Sequence, residues 1–283
     1  MSMVTRKIDF FDMHKIADSG QAFRIRDIDE THTELIAFGR YLQVADLGDN
    51  EFAFSCSEKE FTSLWEEYFD LKRDYSSIVK SIDPKDEYLK AASGFSGGIR
   101  ILKQEPFETT ISYIISQRRS IPSITTSVER ISMLAGKKIS APKLKAPFVK
   151  PLRNEYYAFP TAEELASLSL EQIEGTGVGY RAPYITQAAS GFASGMLDPD
   201  SLASLDDEAL YKALTAMYGV GTKVANCVML FAYARTARFP IDVWIQRIVD
   251  RYYCGCFDCS RYPDTAGIMQ QFMFYYERRR DAV

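Results

Sequence analysis

Histidine is almost absent from this chain, with His14 and His32 the only two in 283 residues. That makes a metal site rich in imidazole, or catalysis through a histidine base, a poor expectation. Cysteine is sparse as well: there are five, an odd number, with three crowded at Cys254, Cys256 and Cys259. In a chain of this size such a set does not read as a disulfide framework, and reduced thiols are expected. No apolar run approaches the roughly 20 residues that span a bilayer. The opening Met1-Ser2-Met3-Val4-Thr5-Arg6-Lys7 lacks the basic-then-apolar layout of a secretion signal. The expected location is the cytoplasm, at the nucleoid if the cell is bacterial. Any chemistry must rest on Lys, Asp, Glu, Cys or Tyr.

Apolar residues make up 46% of the chain, enough to bury the core of one large domain or two modest ones. The formal charge of −4 taken alone argues against a polyanionic partner, because nucleic-acid binding draws on Lys and Arg contacts to phosphate. The charge is unevenly spread, however. Between Arg100 and Arg153 there are eleven Lys or Arg against three Asp or Glu. This segregation suggests a basic face on an acidic body; a basic but merely solvated surface accounts for the same count.

From about Gln21 to Cys56, short alternating segments at 22–26, 35–38, 41–44 and 52–54 are separated by stretches with turn chemistry, among them Gly39-Arg40 and Gly48-Asp49-Asn50. They predict a small antiparallel sheet. From Glu58 the period becomes helical, beginning with Phe61, Leu64, Trp65 and Phe69 on one face, and it stays so to the C-terminus. Pro106 and Ile121-Pro122 open two apolar helices. The stretch 141–160 holds four prolines and reads as an irregular excursion, but not as a free linker, since Phe148, Leu152, Tyr156, Tyr157 and Phe159 give it much to bury. The expected class is α+β: a sheet unit at 1–75 completed by helices, and a helical body at 76–283.

Two glycine hairpins precede helices, Gly175-Thr176-Gly177-Val178-Gly179 and Gly219-Val220-Gly221. The second lies between helical patterns, giving helix, hairpin, helix over 205–233. Amides at the start of its second helix could hold a phosphate. Neither hairpin follows a parallel strand, so a dinucleotide fold is not expected. Lys223 begins the second helix, where the dipole and burial between packed helices both disfavour an ammonium, and a free amine can form a Schiff base. A surface lysine touching a phosphate fits the same spacing. Asp242, in Phe239-Pro240-Ile241-Asp242-Val243, reads cheaply as a helix N-cap. A capping carboxylate can also stabilise a sugar cation as a glycosidic bond breaks.

Taken together these segments resemble the 8-oxoguanine DNA glycosylase/AP lyase branch of the helix-hairpin-helix DNA glycosylase superfamily. The residues that carry the resemblance are Gly219 to Cys227, Phe239 to Val243, Ser19-Gly20-Gln21-Ala22-Phe23-Arg24, Gly177 to Ala182 and Ala266 to Phe274, in the family's order over nearly the whole chain. The resemblance implies a bifunctional, monomeric enzyme acting on duplex DNA that contains 8-oxoguanine. Lys223 would attack C1′ of a nucleotide flipped from the stack and Asp242 would support departure of the base. No organic cofactor is implied, and the hairpin leaves room for a structural monovalent cation. The alternatives are a glycosylase of the same fold for alkylated bases, which would act through water, and a non-catalytic DNA-binding module.

The resemblance also implies base recognition by the Gly20 carbonyl, which would accept a hydrogen bond from N7–H of 8-oxoguanine, with Cys227 and Phe274 sandwiching the ring and Gln270 at its Watson–Crick edge. Tyr180 would enter the stack with Arg181 nearby, and Gly219, Gly221 and Val224 would meet phosphate. Three departures stand out. Arg118 occupies a place where the family has asparagine, which bears on opposite-base selectivity. Trp244 replaces a phosphate-contacting histidine, and the Cys254, Cys256, Cys259 set lacks the fourth cysteine and the spacing of an iron-sulfur cluster.

Overall fold

The computed structural model describes residues 3–280. Its N-terminal part is a five-stranded sheet of β1 (Val4–Lys7), β2 (Ile25–Asp27), β3 (His32–Ala37), β4 (Arg40–Asp46) and β5 (Glu51–Phe54). The order is β1-β5-β4-β3-β2, and every neighbouring pair is antiparallel. Strand β1 is not legible in the sequence, since Val4 is its one buried residue; it exists because Val4 pairs opposite Phe54 and completes an edge. The strand expected at 22–26 shrinks to β2. Gln21 is the reason: its side chain donates to the Arg100 carbonyl (2.9 Å) and accepts from the Leu102 amide (2.7 Å), which ties this segment to 100–102 and away from the sheet.

One face of the sheet buries an aromatic cluster in which Phe11 meets Phe52 and Phe69 edge-on at 4.9 and 5.3 Å, next to Phe54, Phe61 and Trp65. Leu102 belongs to this core, so the packing of the N-terminal unit runs past the division expected after residue 75. The opposite face is covered by the proline-rich excursion, which forms a short ribbon of β6 (Lys138–Ser140) and β7 (Glu155–Tyr157). Buried Glu34 accepts from the hydroxyls of Tyr41 (3.1 Å) and Tyr156 (2.7 Å) and from the Leu152 amide (3.1 Å). Gln43 exchanges hydrogen bonds with the backbone of Val149. A buried carboxylate with several donors is satisfied and therefore tolerated. Leu152 itself stays exposed.

The helical body centres on the helix Pro106–Ile115, whose N-terminal amides at Phe107 and Glu108 are capped by the Glu105 carboxylate. Around it lie the helices Ile121–Ala135, Ala182–Ala193, Asp207–Thr215, Thr222–Phe231, Val243–Tyr252 and Ala266–Arg279. Tyr113 stacks on Phe231 at 5.5 Å, fixing the central helix against Thr222–Phe231. That packing carries the end of the central helix to the start of the other, beside Lys223. No described helix is long and apolar enough to cross a membrane.

The basic stretch from Arg100 to Arg153 does not form one face. Arg100 is buried and donates to the carbonyls of Asp9, Phe10 and Asp70. Lys103 lies by Glu67 and Asp70, Lys138 by Glu155 and Arg153 by Glu129. Several of these charges are thus answered locally.

A buried ionic cluster joins the sheet to the central helix: Arg24 contacts Glu129 (3.0 Å) and Glu108 (3.8 Å). Burial pushes the Glu108 carboxyl up to about 7 from 4.5, against the pull of Arg24 and with help from Glu105 and Glu129. A carboxyl raised on folding contributes stability that is present below its unfolded value and lost as pH rises through its folded value. Glu129 is held below its ordinary value by Arg24 and Arg26 against the push of burial, and has the opposite dependence. Glu108→Gln is therefore expected to flatten the fall in stability between about pH 4.5 and 7, by an amount on the order of 2 kcal/mol. Denaturant melts of both proteins at pH 5 and 7 measure it; an unchanged difference between the two pH values would contradict the assignment.

Candidate active site at the hairpin cleft

The hairpin is built on a glycine that nothing else can replace. Gly219 has φ +81°, and an added Cβ would lie 2.3 Å from the ring of Tyr184. The left-handed backbone and the close ring approach both demand the absence of a side chain. Val220 is buried beneath, and Gly221 takes extended geometry as the N-cap of Thr222–Phe231 without any side-chain cap. The first amides of that helix are consequently left for an outside acceptor. Gln117 donates to the Gly219 carbonyl at 3.0 Å, so the loop after the central helix is pinned to the hairpin.

Lys223 extends from the first turn into a cleft of about 950 Å³ that is also lined by Gly20, Tyr113, Ser116, Asp242 and Phe274. Its half-buried Nζ donates to Ser116 Oγ at 3.1 Å and lies 5.0 Å from the centre of the Tyr113 ring. Tyr113 is a neutral phenol here, raised chiefly by burial, and donates to the Gln21 carbonyl at 3.2 Å. Asp242 caps Val243–Tyr252, accepting from the amides of Trp244 and Ile245, each at 2.9 Å. Both bonds end on Oδ1, so the cap does not occupy Oδ2. The capping reading and a role in the cleft are thus compatible: one oxygen anchors the helix while the other faces no capping amide.

The cleft concentrates positive charge in an acidic protein. Among the described residues, Arg118, Arg119, Lys223, Arg247 and Arg278 line it against the single carboxylate of Asp242. This is the basic surface that residue counts along the sequence misplaced, because it is assembled from segments more than a hundred residues apart. Arg118 is exposed and holds φ +52°, a left-handed conformation that asparagine adopts more readily than arginine.

Of the residues expected to recognise a base, Gly20 and Phe274 line the cleft. Gly20 has φ +75°, and a Cβ there would meet Ile121 Cδ1 at 2.9 Å and Phe274 Cε1 at 3.2 Å. Arg278 lies over the Phe274 ring at 5.1 Å and donates to the Asp18 carbonyl. Cys227 and Gln270 are both buried and are not brought into the cleft wall. The Cys227 thiol is pushed up to about 11 by burial, with Lys223 pulling it down and Asp242 pushing it up, so it is a neutral thiol and no competing nucleophile. Gln270 donates to the Pro240 carbonyl (3.2 Å) and accepts from Gln271 (3.2 Å), which ties it to the segment that carries Asp242. Each of these bonds leaves one N–H and one lone pair of the amide uncommitted.

Tyr180 protrudes with 56% of its surface exposed, as a side chain that enters a base stack must. Arg181, expected at the DNA, is instead buried beneath it: the guanidinium stacks on the Tyr180 ring at 4.2 Å and donates to the carbonyls of Val178 and Gln117. It is a brace between the first glycine turn and the Gln117 loop. Val224 is buried yet lines the cleft, and Gly221 lies open at its rim. Trp244 lines the cleft too, with Arg247 5.5 Å from its ring. Among the described residues, no group of three or more His, Cys, Asp or Glu is arranged to hold a metal ion.

Four residues of this site carry no signal in the sequence: Ser116, Gln117, Tyr113 and Arg247. Tyr184 carries a weak one, since its spacing of four from Tyr180 is the repeat of one helix face. The rest act through contacts between remote segments, which no local pattern encodes.

Comparison with known proteins agrees with this geometry along the whole chain. Residues 3–110 match the 8-oxoguanine DNA glycosylase N-terminal domain, and residues 111–256 match the helix-hairpin-helix (HhH-GPD) superfamily of base excision DNA repair proteins. A "Probable N-glycosylase/DNA lyase" of Methanothermobacter thermautotrophicus is 30% identical over 78% of this chain and 76% of its own length. The structure of MBOgg1 in complex with a low-affinity DNA ligand superposes with TM-score 0.90 at 34% identity, covering 99% of this chain and 97% of that one. The 8-oxoguanine glycosylase/lyase of Clostridium acetobutylicum, bound to double-stranded DNA with cytosine opposite 8-oxoguanine, gives 0.88 at 31% identity, covering 99% of each chain.

Proposed function

The chain belongs to the 8-oxoguanine DNA glycosylase family of the helix-hairpin-helix superfamily, and from that premise we propose that Lys223 and Asp242 carry out its two reactions, excision of 8-oxoguanine from duplex DNA and cleavage at the resulting abasic site. The observation that supports this most is the shared cleft, where one half-buried amine and one carboxylate lie among cations that suit a phosphate backbone. Lys223 Nζ attacks C1′ of the flipped nucleotide. The N-glycosidic bond breaks, the base leaves with the bonding electrons and takes up the proton shed by the attacking nitrogen, and Asp242 stabilises the positive charge that develops on the sugar. The sugar ring opens to a Schiff base on Lys223, a proton leaves C2′, and the 3′ phosphate departs by β-elimination. No step calls for an organic cofactor.

The surrounding residues hold the DNA. Uncapped amides at the start of Thr222–Phe231 take a phosphate, with Gly219 and Gly221 allowing close approach. Tyr180 enters the stack, and Arg118 reaches the gap left by the flipped base. The Gly20 carbonyl accepts no hydrogen bond from a described residue, which suits an acceptor kept for N7–H of 8-oxoguanine; guanine offers a lone pair there and is repelled. Reduction with borohydride during turnover on an 8-oxoguanine duplex is expected to yield a covalent protein–DNA adduct. Base release with no adduct would favour a water-mediated glycosylase and overturn the lysine mechanism.

A further inference from the structure

We propose that Ser116 is a positioning residue for the nucleophile: its hydroxyl oxygen takes one N–H of Lys223 and so turns the amine's lone pair into the cleft. This rests on the reading of Lys223 as the attacking amine. Ser116 terminates the central helix and is buried. Its hydroxyl donates to the Tyr113 carbonyl at 2.7 Å, which commits the only hydroxyl proton. Towards Lys223 Nζ, 3.1 Å away, the oxygen can then only accept.

A neutral primary amine carries two N–H bonds and one lone pair in a tetrahedral arrangement. An acceptor-only neighbour claims an N–H and excludes the lone pair from its own direction. The Tyr113 ring, 5.0 Å from Nζ, presents a π face that likewise favours N–H. Ser116 and Tyr113 lie on the wall of the central helix, and the Cys227 thiol, which also hydrogen-bonds Lys223, lies one turn along Lys223's own helix, so the direction left for the lone pair is the open cleft, where C1′ must arrive.

Ser116 is itself held firmly. The next residue, Gln117, donates through its side chain to the carbonyls of Ile114 (3.1 Å) and Gly219 (3.0 Å), and its own carbonyl accepts from Arg181. The oxygen is therefore fixed relative to both the hairpin and the brace under Tyr180, and misplacement of a reacting group by about 1 Å can cost a hundredfold in rate.

The test measures adduct formation under single-turnover conditions with the full chain, on an 8-oxoguanine duplex and on a preformed abasic duplex. Ser116→Ala is expected to slow both by about tenfold to a hundredfold, while affinity for a duplex with an uncleavable tetrahydrofuran site stays within about twofold. Ser116→Thr, which restores the hydroxyl, should recover most of the rate. If Ser116→Ala lowers the melting temperature, Ser116→Cys carries the comparison, because sulfur fills the space but accepts weakly. Wild-type rates in the variant that lacks the oxygen, with no adduct from Lys223→Gln, overturn the role of Ser116 alone. A Ser116→Thr protein as slow as Ser116→Ala, both melting like wild type, also overturns it. An adduct that persists in Lys223→Gln overturns the Lys223 reading and this proposal with it.

Discussion

Lys223→Gln is expected to abolish adduct formation and to lower both base excision and strand cleavage by about four orders of magnitude or more, the scale seen when an enzyme loses its nucleophile. Glutamine is chosen for what it keeps. It is nearly as good a helix former as lysine at the first turn of Thr222–Phe231, and its amide can still donate to Ser116. What it removes is the amine, and with it the only lysine among the described residues that line the cleft. Binding should survive, since Arg118, Arg119, Arg247 and Arg278 still line the cleft; the loss of one cation among five weakens duplex affinity by about tenfold or less at moderate salt. Single-turnover excision and a binding isotherm, run on the same preparation, separate the two effects. Lost binding with the chemistry intact would assign Lys223 to phosphate contact instead.

Asp242→Asn is expected to lower excision of 8-oxoguanine by about a hundredfold to a thousandfold, the cost of removing one preorganised charge from a developing cation, roughly 3–4 kcal/mol. The substitution is informative because asparagine is as good an N-cap as aspartate, so the amides of Trp244 and Ile245 keep their acceptor and the helix Val243–Tyr252 keeps its start. Only the charge goes. Melting temperature and DNA affinity should remain close to wild type. Strand cleavage at a preformed abasic site should suffer much less than excision, because the base has already left and no glycosidic bond remains to break. An equal loss on both substrates would instead place Asp242 in the step they share.

The sequence made some of this molecule legible and hid the rest for reasons that can be named. Gly219-Val220-Gly221-Thr222-Lys223 is local: φ +81° at Gly219 and a helix start at Thr222 are dictated within five residues, and both are found as the pattern predicts. The sheet from β2 to β5 is likewise local, each strand joined to the next by a short turn. Strand β1 lies at the other extreme. Val4-Thr5-Arg6-Lys7 becomes a strand only because β5, more than forty residues away, offers it an edge.

Charge was the least legible property. The Arg100 to Arg153 count suggested a basic face, yet Arg100 lies buried among carbonyls and Arg153 lies against Glu129, while the cleft draws its cations from Arg118 and Arg119, from Lys223, from Arg247 and from Arg278. Electrostatic fields depend on distance in space, and neighbours in sequence are a poor guide to it. Arg181 is hidden from the sequence for a related reason: its guanidinium meets two carbonyls and the Tyr180 ring, and the tyrosine is the residue presented to solvent. Ser116 and Gln117 had no pattern to betray them, since their partners Lys223 and Gly219 lie about a hundred residues on.

The most direct test of the central claim is to map the borohydride-reduced adduct formed on a duplex carrying 8-oxoguanine opposite cytosine. After digestion of protein and DNA, mass spectrometry identifies which residue carries the sugar remnant. Lys223 is expected to carry it, with no comparable modification of any other lysine or of the N-terminal amine. A remnant on any other residue, with Lys223 unmodified, would contradict it.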